Sequence, residues 1–279
     1  MSTPRHHLPF DPDTLPGAPF RFLAGIRAAV EGVRVVLGEP RLRLLAVVPM
    51  AVHLLLFAGL LTLGVASGVE PLAGMFKGLF GEQPPQLLAA LARGIAWFAV
   101  LAGSFLGTVL VGNVVCDPFY DLLSARAEEL LLGRSVEQPM TVLTVAAGIF
   151  REALATVVRL TLWAPGAVLL FALSFTPAAV VSAPLSFAWA ALFASWEYLS
   201  RSFSRHATGP GERMRVLGSH KALLLGFGSA AVVLSLVPFT APFLVVGATR
   251  AFLALAARGQ VPSRLEEKDR ETLRALLPG

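Results

Sequence analysis

Long runs without a charged side chain dominate the pattern of hydrophobic and polar positions in this chain. There are four of them: Leu44–Val69, Gly94–Cys116, Leu160–Trp196 and Ala222–Thr249. Each run is longer than the about 20 apolar residues that a helix needs to cross the hydrocarbon core of a bilayer. The pattern therefore predicts an all-α integral membrane protein.

The first two runs have the features of two long transmembrane helices, because neither contains a proline after Pro49. Each run carries two glycines four residues apart, and these are Gly64, Gly68, Gly103 and Gly107. Small residues at this spacing allow helix backbones to approach closely in a bilayer. We therefore predict that the two helices pack as a hairpin through these glycines. The alternative is that the glycines are merely tolerated in lipid.

The third and fourth runs are interrupted by prolines, namely Pro165, Pro177, Pro184, Pro238 and Pro242. Proline removes a backbone donor and clashes with the preceding helical turn. The runs then divide into the halves 160–176, 182–196, 222–237 and 241–257. A half of roughly 16 residues is only ~24 Å long, which is shorter than a ~30 Å core. This pattern favours two proline-broken half-membrane helical hairpins, with ordinary kinked hairpins that span the membrane as the alternative.

Composition and charge agree with a membrane protein. Hydrophobic residues make up 55% of the chain and charged residues only 15%, whereas about a quarter of a soluble domain is charged. The net charge of +5 could indicate a nucleic-acid partner, but basic residues in a membrane protein set its topology, so we predict no such partner. All Lys and Arg residues except Lys77 and Arg93 then fall on one side. The positive-inside rule makes that side cytoplasmic and places both termini there.

Amphipathic surface helices are predicted outside the four runs. Residues 20–37 place one apolar stripe along a helix, formed by Phe22, Ile26, Val30, Val33 and Leu37, and such a helix lies in the membrane interface. The tail that begins at Ser263 has the pattern of a capped, solvated helix. We therefore divide the chain into a disordered segment at 1–19, a membrane domain at 20–257 and a cytoplasmic tail at 258–279.

The segment Cys116–Gly133 follows the second run and is predicted to form a separate surface helix. Asp117 suits an N-cap, Pro118 suits the first helical position and Gly133 suits a terminator. A free helix N-terminus can bind an anion, but the Asp117 carboxylate would occupy this one.

Polar residues near the first span give further candidates. Arg41 and Arg43 either anchor the span on the cytoplasmic side or form an anion site that faces the cytoplasm. His53 lies inside the span, where an ionisable side chain suggests a functional site, although a buried hydrogen bond explains it equally well. Cys116 is the single cysteine, so an internal disulfide is excluded.

Motifs of soluble enzymes are absent from the sequence. The segment "GFGSAA" at 226–231 matches a loose dinucleotide pattern, but it follows no strand and lies inside an apolar run. Zinc-ligand spacings, a P-loop and a nucleophile elbow are also missing. We therefore predict a protein without catalytic residues, metal or cofactor.

Short motifs spread between Phe20 and Phe252 carry a family resemblance. They comprise Pro40, Arg43 and Pro49, then Asn113, Pro118, Phe119, Leu122, Leu123 and Glu128, then Tyr198, Phe203, His206, Glu212 and Leu217, and finally the "GAT" segment at 247–249. In their order and spacing these motifs resemble the CysZ family of bacterial sulfate permeases, which shares its domain with the etoposide-induced membrane proteins.

The resemblance implies an oligomer with two long membrane helices and two half-membrane helical pairs per chain. It also implies sulfate uptake across the inner membrane for cysteine biosynthesis, without ATP hydrolysis by this chain. In that family an arginine pair near the first span and a Gly-Leu-Leu/Thr-small-Glu motif after Pro-Phe are linked to sulfate. The anion-binding candidates that follow are Arg41, Arg43, Leu123, Ser124 and Glu128.

The chain departs from the family pattern at both places. Leu44 stands where the second arginine of the pair would fall, and Arg41 could substitute for it from the previous turn. The motif begins with Asp121 and ends with Ala125 in place of glycine and glutamate. A carboxylate beside an anion site would repel sulfate. A non-transporting membrane scaffold is therefore the alternative to the permease.

Overall fold

The computed structural model describes residues 7–78, 85–134, 157–158, 161–206, 208–237 and 239–278. The described part of the chain contains helices and no strand. After a short 3-10 helix at Pro12–Thr14, the α-helices in chain order are α1 (Ala18–Gly38), α2 (Pro40–Ser67), α3 (Val69–Gly78), α4 (Gln86–Leu132), α5 (Thr161–Leu173), α6 (Ala179–Arg205), α7 (Pro210–Ser219), α8 (Lys221–Leu234), α9 (Ala241–Ala257) and α10 (Glu267–Arg274). The predicted break at Pro238, residues 1–6, and the side chains of Lys77 and Asn113 lie outside the described part.

Within the described part of the chain, three helices are long and apolar enough to cross a membrane, namely α2, the Gln86–Val109 part of α4, and α6. A fourth candidate span consists of α7 and α8 together, with a bend of 94° between them. The all-α membrane fold predicted from the charge-free runs is confirmed. Whether any hairpin re-enters the membrane stays a prediction.

The helices form two compact units. The first unit comprises residues 1–46, 120–236 and 240–279, and the second comprises 47–119 and 237–239. The border falls within α2 and α4, and residues 258–279 belong to the first unit. The division into a membrane domain at 20–257 and a cytoplasmic tail stays a prediction.

The second unit is a helical hairpin with an apolar, exposed surface. Where α2 and α4 meet, a Cβ atom added at Gly64 would lie 2.7 Å from Val100 Cγ1, and one added at Gly107 would lie 3.1 Å from Leu60 Cδ1. Gly68 also borders Val100, whereas a Cβ at Gly103 would meet open space. Three of the four glycines therefore lie at the helix contact.

The first unit is built around α9, which packs against α1, α6 and α10, while α8 packs against α1 and α6. Glycine allows the closest approaches, because a Cβ at Gly25 would overlap the carbonyl oxygen of Leu223, and one at Gly32 that of Phe243. The buried face of α1 consequently consists of small residues and Val36, which are Ala24, Gly25, Ala28, Ala29, Gly32 and Val36. This face differs from the predicted apolar stripe, of which Val30 and Leu37 are exposed.

Two prolines lie inside helices where the sequence predicted breaks. Helix α6 is 27 residues long and runs through Pro184 without a break. The predicted half at 182–196 is therefore too short, and the break that precedes it lies near Pro177. Helix α4 continues through Pro118, so the prediction of a separate surface helix capped by Asp117 is wrong. Proline removes one backbone hydrogen bond, and a long membrane helix tolerates that loss when its neighbours compensate. Gly133, at φ 69°, ends α4 as predicted.

Both termini pack against the first unit. Leu8 and Phe10 are buried in its core, and the Leu8 N–H donates to the Leu276 carbonyl at 2.8 Å. The described residues near the N-terminus therefore pack against the core of this unit. In α10, Leu273 is fully buried, so this helix is anchored by its apolar side.

Candidate functional site

A group of charged and hydroxyl side chains, most of them buried, lies in the first unit between α4, α6 and α9. We call it the polar cluster and define it by Asp121, Ser124, Glu128, Arg201, Ser202, Arg205, His206 and Thr249. Helical spacing assembles it, because positions 121, 124 and 128 share one face of α4, and 201 and 205 share one face of α6.

Glu128 is the buried anion of the polar cluster. Its side chain is 3% exposed, its Oε1 lies 3.0 Å from His206 Nε2, and its Oε2 lies 3.4 Å from Arg205 Nη1. The Arg264 N–H donates to His206 Nδ1 at 3.3 Å, so the proton of a neutral ring sits on Nε2. Burial of a carboxylate is costly unless it is paired, and Arg205 and His206 provide that pairing.

Two arginines of α6 surround Asp121. Arg205 Nη2 donates to the main-chain carbonyl of Asp121 at 2.8 Å. The Arg201 Nε lies 4.0 Å from the Asp121 carboxylate, and its guanidinium lies 4.8 Å from the centre of the Tyr120 ring. Both guanidiniums are largely removed from water, with 9% and 14% of the Arg201 and Arg205 side chains exposed.

The hydroxyl part of the polar cluster is uncharged and fully buried. Thr249 donates to the Val245 carbonyl at 2.9 Å within α9, so Ser124 is the donor in its 2.8 Å contact with Thr249 Oγ1. Ser202 donates to the same oxygen at 3.5 Å. Leu123, also fully buried, contributes apolar packing beside these groups. The hydroxyls thus connect α4, α6 and α9.

The structure brings together some of the predicted anion-binding residues. Leu123, Ser124 and Glu128 lie in or beside the polar cluster. Arg41 and Arg43 are exposed at the start of α2, and neither forms an ion pair or side-chain hydrogen bond with any described residue.

The sequence analysis assigned no role to Arg201, Arg205 and Arg213, which follow the third apolar run. Arg201 and Arg205 belong to α6, and Arg213 is fully buried. Arg213 donates to the Thr208 carbonyl at 3.1 Å and to Ser204 Oγ at 3.1 Å. The available signal was the spacing of four between Arg201 and Arg205, which continues the helical register of the apolar run before them.

His53 and Cys116 lie together in the second unit. His53 Nδ1 is 2.8 Å from the Pro49 carbonyl oxygen of its own helix and 3.7 Å from Cys116 Sγ, and both side chains are buried. This local hydrogen bond accounts for an imidazole inside an apolar helix. Among the described residues, no group of three or more His, Cys, Asp and Glu side chains is placed to hold a metal ion.

Comparison with known proteins gives a consistent result. Residues 28–245 match the model of the family described as sulfate transporter CysZ/etoposide-induced protein 2.4. A protein of Pseudomonas paraeruginosa named sulfate transporter CysZ is 28% identical over 240 residues, which are 81% of this chain and 93% of the relative. A protein of the same name from Pseudomonas syringae pv. tomato is 27% identical, over 77% of this chain and 85% of the relative. Another from Pectobacterium atrosepticum is 26% identical, over 64% of this chain and 72% of the relative.

Proposed function

Because this chain belongs to the family of sulfate transporter CysZ and etoposide-induced protein 2.4, we propose that it is a membrane permease for sulfate. The observation that carries the proposal is the similarity to proteins named sulfate transporter CysZ, which extends over 93% of one such relative. A permease needs several apolar helices across the bilayer, and three or four candidate spans supply them.

The polar cluster supports an anion as the substrate. Guanidinium groups match the oxygens of a tetrahedral oxyanion through paired N–H donors, and Arg201 and Arg205 present two of them on neighbouring turns. Ser124 and Ser202 both donate to Thr249 Oγ1, and these contacts hold α4, α6 and α9 together beside the arginines. Glu128 repels an anion, so we assign it the role of orienting Arg205 and His206, while Leu123 shapes the apolar wall beside them.

Arg41 and Arg43 have a different role in this proposal. Their exposed guanidiniums at the start of α2 raise the local concentration of anions by long-range attraction. Direct coordination of sulfate is left to the α6 arginines. Loss of Arg43 would then slow uptake and make it less dependent on ionic strength, without abolishing sulfate binding.

The setting of the permease is also proposed. By the positive-inside rule both termini would lie in the cytoplasm, and the protein would import sulfate across the inner membrane for cysteine biosynthesis. Helices α2 and α4 expose large apolar side chains, including Leu55 at 72% and Phe98 at 72%. Lipid and further copies of the chain in a homo-oligomer would cover such a surface.

Uptake of radiolabelled sulfate into liposomes that contain the purified protein tests the function. We expect uptake by the wild type, slower uptake by Arg43→Ala, and unchanged uptake by Arg126→Ala, which removes an exposed arginine of α4 that pairs with Glu129. The double variant Asp121→Gly, Ala125→Glu restores the family motif. If the double variant takes up sulfate and the wild type does not, the wild type has another substrate. If neither protein takes up sulfate, the result contradicts the permease and favours the membrane scaffold.

A further inference from the structure

Helix α1 has one long face that the rest of the first unit leaves uncovered. Its small residues pack against α8 and α9, and the opposite side carries exposed apolar side chains next to arginines. We call this side the α1 outer face and define it by Phe20, Leu23, Arg27, Val30, Arg34 and Leu37. We propose that the α1 outer face binds anionic phospholipids, with its apolar side chains among the acyl chains and its arginines on the lipid phosphates.

Two parallel rows of side chains make up the α1 outer face. Leu23, Val30 and Leu37 are seven residues apart and form an apolar row, in which all three side chains are exposed. Arg27 and Arg34 are also seven residues apart and form an arginine row. Seven residues are close to two full helical turns, so each row stays on one side of the helix. The two rows are four residues out of step and therefore lie side by side.

The charge of the α1 outer face is positive. Helix α1 contains arginines at 21, 27 and 34, but a single acidic residue, Glu31. Arg27 pairs with Glu31 at 2.7 Å and keeps 64% of its side chain exposed. Arg34 is exposed and forms no ion pair or side-chain hydrogen bond with any described residue. Guanidinium groups bind phosphate oxygens through paired N–H donors, so the arginine row suits phosphate head groups.

The packing of α1 fixes which side of the helix faces outward. A Cβ atom added at Gly25 would overlap the carbonyl oxygen of Leu223 in α8, and one added at Gly32 would overlap that of Phe243 in α9. Rotation of α1 about its axis would bring larger side chains against these backbones. The two rows are therefore presented as a preformed surface, and a ligand that binds there orders little of the protein.

An anionic phospholipid matches both rows, whereas the other possible occupants match only one of them. Water would leave the apolar row exposed, and a free oxyanion would engage the arginine row alone. A second copy of the chain that docked through the same face would bring two positive surfaces together, and like charges across an interface cost energy. In the membrane interface, by contrast, a helix buries its apolar side while its arginines attract anionic head groups.

Native mass spectrometry of the purified full-length protein in a neutral detergent, titrated with phosphatidylglycerol or phosphatidylcholine, tests this inference. We expect the double variant Arg27→Gln, Arg34→Gln to raise the Kd for phosphatidylglycerol about five- to 25-fold, since each basic residue near an anionic surface contributes about a factor of five. Phosphatidylcholine has no net charge, so its binding should be the same in this variant and the wild type. The variant Arg27→Lys, Arg34→Lys keeps both charges and should retain most of the affinity.

The matched control is the double variant Arg126→Gln, Lys268→Gln, which removes two exposed cations from other helices of the first unit. Arg126, like Arg27, has a carboxylate partner on its own helix. Lys268 lies on α10, whose described residues include no exposed large apolar side chain. This control has the same loss of charge without an apolar row beside it, and it should leave the Kd for phosphatidylglycerol unchanged.

The apolar row is tested by a second pair of substitutions. Leu23→Gln, Leu37→Gln should weaken the binding of both lipids, because it removes apolar contacts and leaves the arginines in place. Soluble glycerol 3-phosphate, at the concentration of the lipid, should not compete. Effective competition would show a site for a free phosphate and overturn the lipid as the occupant.

Two further results would overturn the inference. One is an unchanged Kd for phosphatidylglycerol in Arg27→Gln, Arg34→Gln, or an equal rise in the control. The other is a change in the number of chains per particle with lipid binding intact, which would assign the α1 outer face to contacts between copies. Size-exclusion chromatography identifies any variant that does not fold. Because lipid binding is measured without sulfate, failure of the permease would leave this inference standing.

Discussion

Helix α9 of the first unit and helix α2 of the second are both apolar, but they have opposite surroundings. In α9, 15 of the 17 residues are buried by protein. In α2, only 17% of the most apolar 18-residue window is buried. A long apolar sequence therefore predicts that a helix avoids water, but it does not distinguish a helix surrounded by protein from one surrounded by lipid.

Helix α9 meets a neighbouring backbone through a glycine and buries a charged side chain, whereas the buried His53 of α2 contacts a carbonyl of its own helix. Gly247 of α9 lies against the Ala28 carbonyl of α1, with 2.7 Å between that oxygen and an added Cβ. Thr249 and Arg250 of α9 are buried within the protein. A helix that carries such groups needs partners on several sides, because an unpaired polar group in hydrocarbon is costly.

The largest effect is expected where the first unit buries a charge. Glu128→Ala would leave Arg205 and His206 without their shared carboxylate, and removal of one partner from a buried ion pair costs about 3–5 kcal/mol. Thermal unfolding in detergent should show this loss. Glu129→Ala is the matched control, because this neighbouring carboxylate is 34% exposed and pairs with the exposed Arg126. Equal losses in the two variants would contradict the role of burial.

A pair of identical substitutions tests the comparison between α9 and α2 directly. Leu253 in α9 is fully buried, whereas Leu55 in α2 is 72% exposed. We expect Leu253→Ala to destabilise the protein by about 2–5 kcal/mol, as for other core leucines. Leu55→Ala should change stability by less than ~0.5 kcal/mol in detergent. A large loss in Leu55→Ala would mean that a further copy of the chain covers this face of α2.

The sequence predicted the apolar helices well, since hydropathy and proline positions report on each segment by itself. It predicted the ends of α9 correctly and the N-terminus of α6 only approximately. Pro118 and Pro184 misled because the cost of one lost backbone hydrogen bond depends on the neighbouring helices, which a linear pattern does not contain.

The candidate site was only half predictable for a related reason. Ser124 and Glu128 lie on a recognisable helix face, but their partners Thr249, Arg205 and His206 are between 77 and 125 residues away in the chain. The repulsion of sulfate expected from Asp121 also needs revision, because Arg201 lies beside that carboxylate. Charge counted along a segment does not reveal a counter-ion on another helix.

A smaller effect is expected for the hydroxyl contact between α4 and α9. Ser124→Ala removes the donor to Thr249, and loss of a buried neutral hydrogen bond costs about 1–2 kcal/mol. Because Thr249→Val removes the other partner, the double variant should lose less stability than the sum of the single variants. Denaturant titration of the single and double variants measures this coupling. Strict additivity would show that the 2.8 Å contact contributes nothing to stability.

The smallest effect concerns the N-terminal segment and depends on pH. The Arg258 guanidinium, which binds both carboxylate oxygens of Asp11, holds the pKa of that carboxyl below its ordinary value of 3.8. A lowered pKa in the folded state means that the pair stabilises the protein above the unfolded-state pKa, and that this stabilisation disappears as the pH falls through the folded-state pKa. Asp11→Asn should therefore lower the melting temperature near neutral pH, and the difference from the wild type should narrow below about pH 4. Glu271→Gln, which removes an exposed carboxylate of α10, should show no such dependence. A difference between Asp11→Asn and the wild type that stays constant down to about pH 2 would mean that Asp11 acts through packing rather than through its charge.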